Sequence, residues 1–220
     1  MWCVAELNDE YITKMEDVLK VYEKAYNRAY PEVCLDERPV CLHAEVRPAR
    51  PARPGHIAKR DNEYKRCGVA NVFAMVEPKS GRHLNRATPN RSGHEFALAI
   101  RDLARAYPRA RKIRLVMDNL STHFRKSLTD CFGERKGVAL WRRFQVHYTP
   151  KHGSWLNQAE IELSLLSRQC LGARRIPALE TLQQEVRDWN TRANRSKTRI
   201  NWKFTKKAAR KKFGYQTVAL

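Results

Sequence analysis

Ile113-Arg114-Leu115-Val116-Met117-Asp118-Asn119 is the stretch that decides the fold. The bulky apolar run is too short for a buried helix and breaks off in a polar pair, so it predicts a buried central strand followed by a turn. Such a strand needs cover on both faces, which calls for helices packed against a sheet. Its apolar part ends in a carboxylate, and in open α/β sheets ligands gather at the carboxyl ends of strands.

Upstream, Ser92-Gly93-His94-Glu95 has the spacing of a capping box and opens a helix through Phe96, Ile100 and Leu103 that must end near Pro108. Before it a strand is predicted over about Cys67 to Val76, with Gly81 marking the next turn. Residues 48–61, rich in Pro and Arg, read as a basic loop. Val33-Cys34-Leu35, followed by alternating Val40, Leu42, Ala44 and Val46, predicts a hairpin turning at Glu37 to Pro39. First of all comes an amphipathic helix after a cap at Asn8, carrying Tyr11, Ile12, Met15, Val18, Leu19, Tyr22, Ala25 and Tyr26. Downstream, Phe144, Val146 and Tyr148 alternate as a strand stopped by Pro150. One helix is then predicted from about Ser154 to Leu171, and another carries Leu179, Leu182, Val186, Trp189 and Ala193. The fold class is therefore α/β, a mixed sheet flanked by helices.

The 220 residues suit one sizeable domain, and a formal net charge of +20 calls for a polyanionic partner, nucleic acid by default. The charge is uneven: residues 1–37 hold nine acidic and four basic side chains, whereas 194–213 hold nine basic and none acidic. No stretch has the length and apolar content of a membrane span, and no leader pattern opens the chain. Cysteines at 3, 34, 41, 67, 131 and 170 form no Cys-x-x-Cys pair, which favours reduced thiols in a cytoplasmic protein. Cys41 and His43 share a strand face for geometric reasons and need no metal to explain them.

Val-Cys-Leu-Asp36 and Leu-Val-Met-Asp118 both end apolar strands in a carboxylate. Either aspartate alone is as readily a turn former or a helix cap. Together, on a chain that wants a polyanion, they read as cation holders, because bare acids at the centre of a basic protein repel DNA. The further candidate lies in Ser154-Trp-Leu-Asn157-Gln-Ala-Glu160-Ile-Glu162. No Gly-x-Ser-x-Gly or Cys-His pattern supports a hydrolase.

Leu-Asp36-Glu, Met-Asp118-Asn with a following His123, and Ser-Trp-Leu-Asn-x-x-Glu160, with Trp202-Lys-Phe-Thr near the end, resemble the mariner-related insertion-sequence transposases of bacteria. The resemblance implies a ribonuclease-H-like fold, with Asp36, Asp118 and Glu160 as catalytic acidic triad and metal ligands. It also implies two Mg²⁺ ions, replaceable by Mn²⁺. Transposon ends and target DNA would be the partners of a homo-oligomer, in the bacterial cytoplasm at the nucleoid. One site would serve twice: water attacks at the element's ends, then the freed 3′-hydroxyl attacks target DNA. The expected organisation is a helical lead-in over 1–30, a catalytic domain over 31–195 and a basic tail over 196–220. Such transposases also carry an N-terminal helix-turn-helix, for which residues 1–30 supply too little. The chain is accordingly expected to be a fragment, a split-frame product or a degenerate copy.

Asn119, His123 and Asn157 are supporting candidates that could orient a ligand or water, against local structural roles for each. Glu37 would face away from Asp36 on a continuing strand and reads as structural. Glu160 and Glu162 flank the helix's apolar stripe symmetrically; the resemblance favours Glu160, and Glu162 is expected on a solvated flank. Arg53, Lys59, Arg60, Lys65 and Arg66, with Lys206, Lys207, Arg210 and Lys211, are candidate phosphate contacts. Trp155 and Trp202 read as packing residues. The rival readings are a related nuclease that cuts without joining, and a DNA-binding remnant without activity.

Overall fold

Asn8 accepts the Tyr11 N–H at 2.8 Å and starts helix α1, Asp9–Glu23, whose buried stripe includes Tyr11, Ile12, Met15, Val18, Leu19 and Tyr22. The helix ends before Ala25 and Tyr26, which stand exposed. The structure, a computed structural model, describes residues 7–215; Cys3 lies outside them. Strands β1 (Glu32–Glu45), β2 (Tyr64–Glu77), β3 (Arg82–His83) and β4 (Arg86–Thr88) precede helix α2 (Gly93–Ala106). Strand β5 (Ile113–Met117), helices α3 (Arg125–Phe132) and α4 (Glu134–Trp141), and strand β6 (Phe144–Tyr148) follow. A 3₁₀ turn at Ser154–Leu156 leads to α5 (Ala159–Leu166), a π turn (Ser167–Leu171), α6 (Leu179–Ser196) and α7 (Lys206–Phe213).

The sheet order is β3-β2-β1-β5-β6, with β4 also on β2. β1 is antiparallel to β2 and parallel to β5, and β5 is parallel to β6, so the sheet is mixed as expected. Val33, Leu35, Phe73, Leu115 and Met117 face α2 and α3 through Phe96, Ile100, Leu103 and Leu128. On the other face Cys34, Val76 and Val116 meet Met15, Val18, Leu19, Leu156, Ala159 and Ala209. Farther along, Leu42, Ala70 and Val72 pack on Leu166, Leu182, Val186 and Trp189. The central strand at 113–117 is thus covered on both sides, which explains its unbroken apolar character.

The hairpin expected to turn at Glu37 to Pro39 does not form. β1 runs straight through these residues, and its antiparallel partner is the strand at 64–77. Pairing with β5 stops at Cys34, so from there on β1 has a partner on one side only, the situation in which a strand tolerates Pro39. The far half of this ladder leaves the body as an arm, with Tyr64–Val69 exposed and Ala70–Glu77 buried. Residues 48–61 continue it through the bridges Arg50↔Lys59 and Arg53↔His56, and Gly55 at φ 77° makes the turn. Arg175 braces the arm's base by donating to Glu45 and, at 2.7 Å, to the Glu63 carbonyl.

The single helix predicted over 154–171 is broken into a 3₁₀ turn, α5 and a π turn. The stretch read as a basic tail contains α7, capped by the Thr205 side chain, which accepts the Ala208 N–H at 3.1 Å. α7 buries Ala209 against α1, and Arg210 holds Glu16 at 2.7 and 2.9 Å.

Candidate active site

Parallel pairing sets Cys34 of β1 opposite Val116 of β5; Asp36 lies two residues farther along β1, and Asp118 directly follows the end of β5 at Met117. Asp36 continues the face of Cys34, the one that α1 and α5 cover, whereas Asp118 reaches His123, which packs on Phe96 of α2. Asp36 is firmly held: its Oδ1 accepts the Glu37 N–H at 2.8 Å, and its Oδ2 accepts from the Asn157 amide at 3.1 Å. Asn157 also donates to the Leu35 carbonyl at 2.8 Å and accepts the Ala159 N–H at 3.1 Å. It thereby ties the start of α5 to β1.

Glu160 lies exposed in the first turn of α5. A groove of about 370 Å³ runs beside it, lined also by Glu37, Arg38, Ser167 and Arg168. Arg38 donates to Ser167 across the groove, and Arg168 is exposed. Nothing in the sequence singled out these two arginines, because an isolated Arg carries no spacing signal; only the fold brings them beside Glu160.

Burial raises the Asp36 carboxyl to about 7, opposed by the Glu37 N–H and reinforced by the charges of Glu160, Glu37 and Asp118. Carboxylates from β1, the end of β5 and α5 thus share one electrostatic neighbourhood. A cation placed among them would offset that repulsion.

His123 is fully buried, not the surface residue that a histidine after a strand commonly is. Its Nδ1 lies 2.6 Å from Asp118 Oδ1 and its Nε2 3.3 Å from Glu37 Oε2. Burial opposes its charge, but the carboxylates of Asp118 and Glu37 prevail and raise it to about 9. Among the described residues Glu37, Asp118 and His123 are the group whose ligand atoms all fall within 4.8 Å of one another. Glu37 does face away from Asp36, yet it is a partner of the site through His123. Asn119 lies exposed beside Asp118.

The expectation for Glu162 is overturned. Its side chain is fully buried, 2.9 Å from His83 Nδ1, and it accepts from Asn85 Nδ2 at 2.6 Å. Asn190 and Asn194 of α6 complete this network through the backbone of Asn85 and His83. α5 carries one glutamate into the interior and leaves the other in the groove. Two residues span about 200° of a helix, which is enough to part them.

Of the basic candidates, Arg53, Lys59, Lys65 and Arg66 are exposed on the arm, while Arg60 is occupied by Glu45 and the Ala173 carbonyl. Lys206 and Arg210 are paired with Glu23 and Glu16, whereas Lys207 and Lys211 are exposed. Trp155 packs on Phe204 and Phe213, and Trp202 on Tyr22, as packing residues should. No helix is long and apolar enough to cross a membrane among the described residues.

The profile of the DDE superfamily endonucleases matches residues 31–183. No curated protein sequence matches the chain. Among solved structures, the Mos1 strand transfer complex aligns with TM-score 0.57 at 16% identity, over 90% of this chain and 60% of that one. The Mos1 paired-end complex with left transposon end gives 0.55 at 15%, over 90% and 62%. The Mos1 mariner paired-end complex with Mn gives 0.54 at 13%, over 90% and 61%. The chain thus spans about three fifths of the transposase chains it resembles, and at these identities the likeness is one of fold.

Proposed function

The chain belongs to the DDE superfamily endonucleases, and from that premise we propose that it is the catalytic part of a transposase, cutting and rejoining DNA phosphodiesters with Asp36, Asp118 and Glu160. What supports this reading is the match of the DDE endonuclease family over residues 31–183, a span that includes all three acids, together with the charges of Glu160 and Asp118 acting on Asp36. The finer assignment, to the bacterial insertion-sequence branch of the mariner-like enzymes, rests on the motif around Asn157 and Glu160. The likeness to complexes with transposon ends and with Mn supports DNA ends as substrate, a divalent cation as cofactor and a homo-oligomer as the working form.

The chemistry of the residues fits a hard cation: carboxylate oxygens from β1, the connection after β5 and α5, with Asp36 and Asp118 each oriented by a hydrogen-bond partner. Asp36, Asp118 and Glu160 would hold two Mg²⁺ or Mn²⁺ ions, which when bound supply a more acidic attacking water and stabilise the leaving oxygen. Asn157 keeps the Asp36 carboxylate turned toward α5, and His123 keeps one oxygen of Asp118 occupied. Arg38 and Arg168 line the groove at Glu160 and supply positive charge for a phosphate beside the cleaved bond. The exposed basic side chains of the arm and of α7 hold DNA by its backbone.

The test is incubation of supercoiled plasmid with Mg²⁺, Mn²⁺ or chelator, with a joining assay on precut ends alongside. Nicking or linearisation with either metal and none with chelator is expected, together with joining. Cleavage without joining reduces the reading to a nuclease; no cleavage in either metal by the folded protein contradicts it.

A further inference from the structure

His123 sits in the connection between β5 and α3, with each ring nitrogen facing a carboxylate oxygen: Asp118 at 2.6 Å and Glu37 at 3.3 Å. A carboxylate only accepts, so Nδ1, hydrogen-bonded to Asp118, carries a proton. The ring lies against Phe96, with centroids 4.7 Å apart, and the Tyr148 hydroxyl donates to the His123 carbonyl at 3.0 Å. Packing, backbone and the Nδ1 hydrogen bond to Asp118 therefore hold it in place, with Glu37 at ion-pair distance from Nε2. The Asp118 side chain, by contrast, is 40% exposed and has no other partner among the described residues. Left alone, a carboxylate at the end of a strand rotates freely about its side-chain bonds.

We propose that Glu37 and His123 are positioning residues, a chain Glu37–His123–Asp118 that sets the rotamer of Asp118 and leaves its second oxygen free for a metal ion. The inference rests on the reading of Asp118 as a metal ligand. Adjacent residues of a strand point to opposite faces, so β1 delivers Asp36 to the site and Glu37 to the ring that holds Asp118. One strand thus aligns both aspartates, one directly and one through a histidine. His123 is poorly suited as a ligand itself, because Mg²⁺ prefers oxygen and Nδ1 is already engaged by Asp118. Outer partners of this kind are worth about 10–100-fold in metal affinity.

The experiment is calorimetric titration of the DNA-free full chain with Mn²⁺, with the thermal transition of each variant recorded. Glu37→Gln, which keeps size and shape, and His123→Ala are each expected to weaken Mn²⁺ binding by about 10–100-fold. His123→Asn, whose amide N–H takes the place of Nδ1, should restore most of what alanine loses, a recovery that general loosening of the fold would not produce. Wild-type Mn²⁺ affinity in Glu37→Gln overturns the proposal, as does His123→Asn binding no better than His123→Ala. Should His123→Ala not fold, Glu37→Gln decides. Asp118→Asn separates the two levels: if it binds Mn²⁺ like wild type, the reading of Asp118 falls and the proposal with it. If only Asp118→Asn loses the ion, the proposal falls alone.

Discussion

Asn157 donates from one amide group to two acceptors on β1, the Leu35 carbonyl at 2.8 Å and the Asp36 carboxylate at 3.1 Å. Because its own oxygen accepts the Ala159 N–H, one side chain sets the distance between β1 and the helix that carries Glu160. Asn157→Ala is expected to cost about 1–3 kcal/mol of stability, since it leaves buried groups without a partner. It should also raise the Mg²⁺ concentration needed for half-maximal cleavage by about 10–100-fold. A Mg²⁺ titration of cleavage on folded protein checks this, and an unchanged midpoint would remove Asn157 from the site's support.

Glu162 makes a contrasting case. Its carboxylate is buried against His83 and Asn85, so Glu162→Gln exchanges one of two acceptor oxygens for an NH₂ group that cannot accept from either neighbour. We expect a loss of about 1–3 kcal/mol, seen as a thermal midpoint lower by about 2–4 °C per kcal/mol for a chain of this size. Below that midpoint, cleavage should persist. A midpoint equal to wild type would mean the network carries no net stability.

The basic residues divide by what they already touch. Arg210 and Lys206 are committed to Glu16 and Glu23, whereas Lys207, Lys211, Arg38 and Arg168 have exposed side chains. Each phosphate contact removed should lower the dependence of log affinity on log salt by about 0.9. Replacing Lys207 and Lys211 by Gln, or Arg38 and Arg168 by Gln, is expected to reduce that slope measurably, and Arg210→Gln to leave it nearly unchanged. Binding isotherms on one duplex at several salt concentrations decide it; the reverse ranking would place Arg210 on DNA.

The strand at 113–117, the capped helices α1 and α2 and the strand at 144–148 were legible because their apolar spacing or capping residues have a single physical reading. Glu37, Arg38 and Pro39 were misread as a turn because charge and proline usually signal one. Here a long-range partner, His123, buries Glu37, and the end of pairing with β5 removes the penalty on Pro39. Helices α3 and α4 gave little signal: of their side chains only Leu128 is fully buried, and Gly133 at φ 80° separates them. β3 and β4, of two and three residues, are too short for a pattern. α7 did carry a signal, Thr205 before and Gly214 after a helical run, hidden by its charge. Periodicity could not separate Glu160 from Glu162, because both flank the apolar stripe. Their fates were decided by His83 and Asn85, almost eighty residues away in the sequence.

The most direct test of the central claim is plasmid cleavage in Mg²⁺ by Glu160→Gln, measured beside Glu162→Gln on protein whose thermal transition shows it folded. Glu160 is exposed in the groove and holds no structural partner among the described residues. Its replacement should therefore leave the transition where it is and abolish cleavage, while Glu162→Gln melts earlier and still cuts. Full cleavage by folded Glu160→Gln would contradict the account, because the carboxylate assigned to the metal site would then be dispensable.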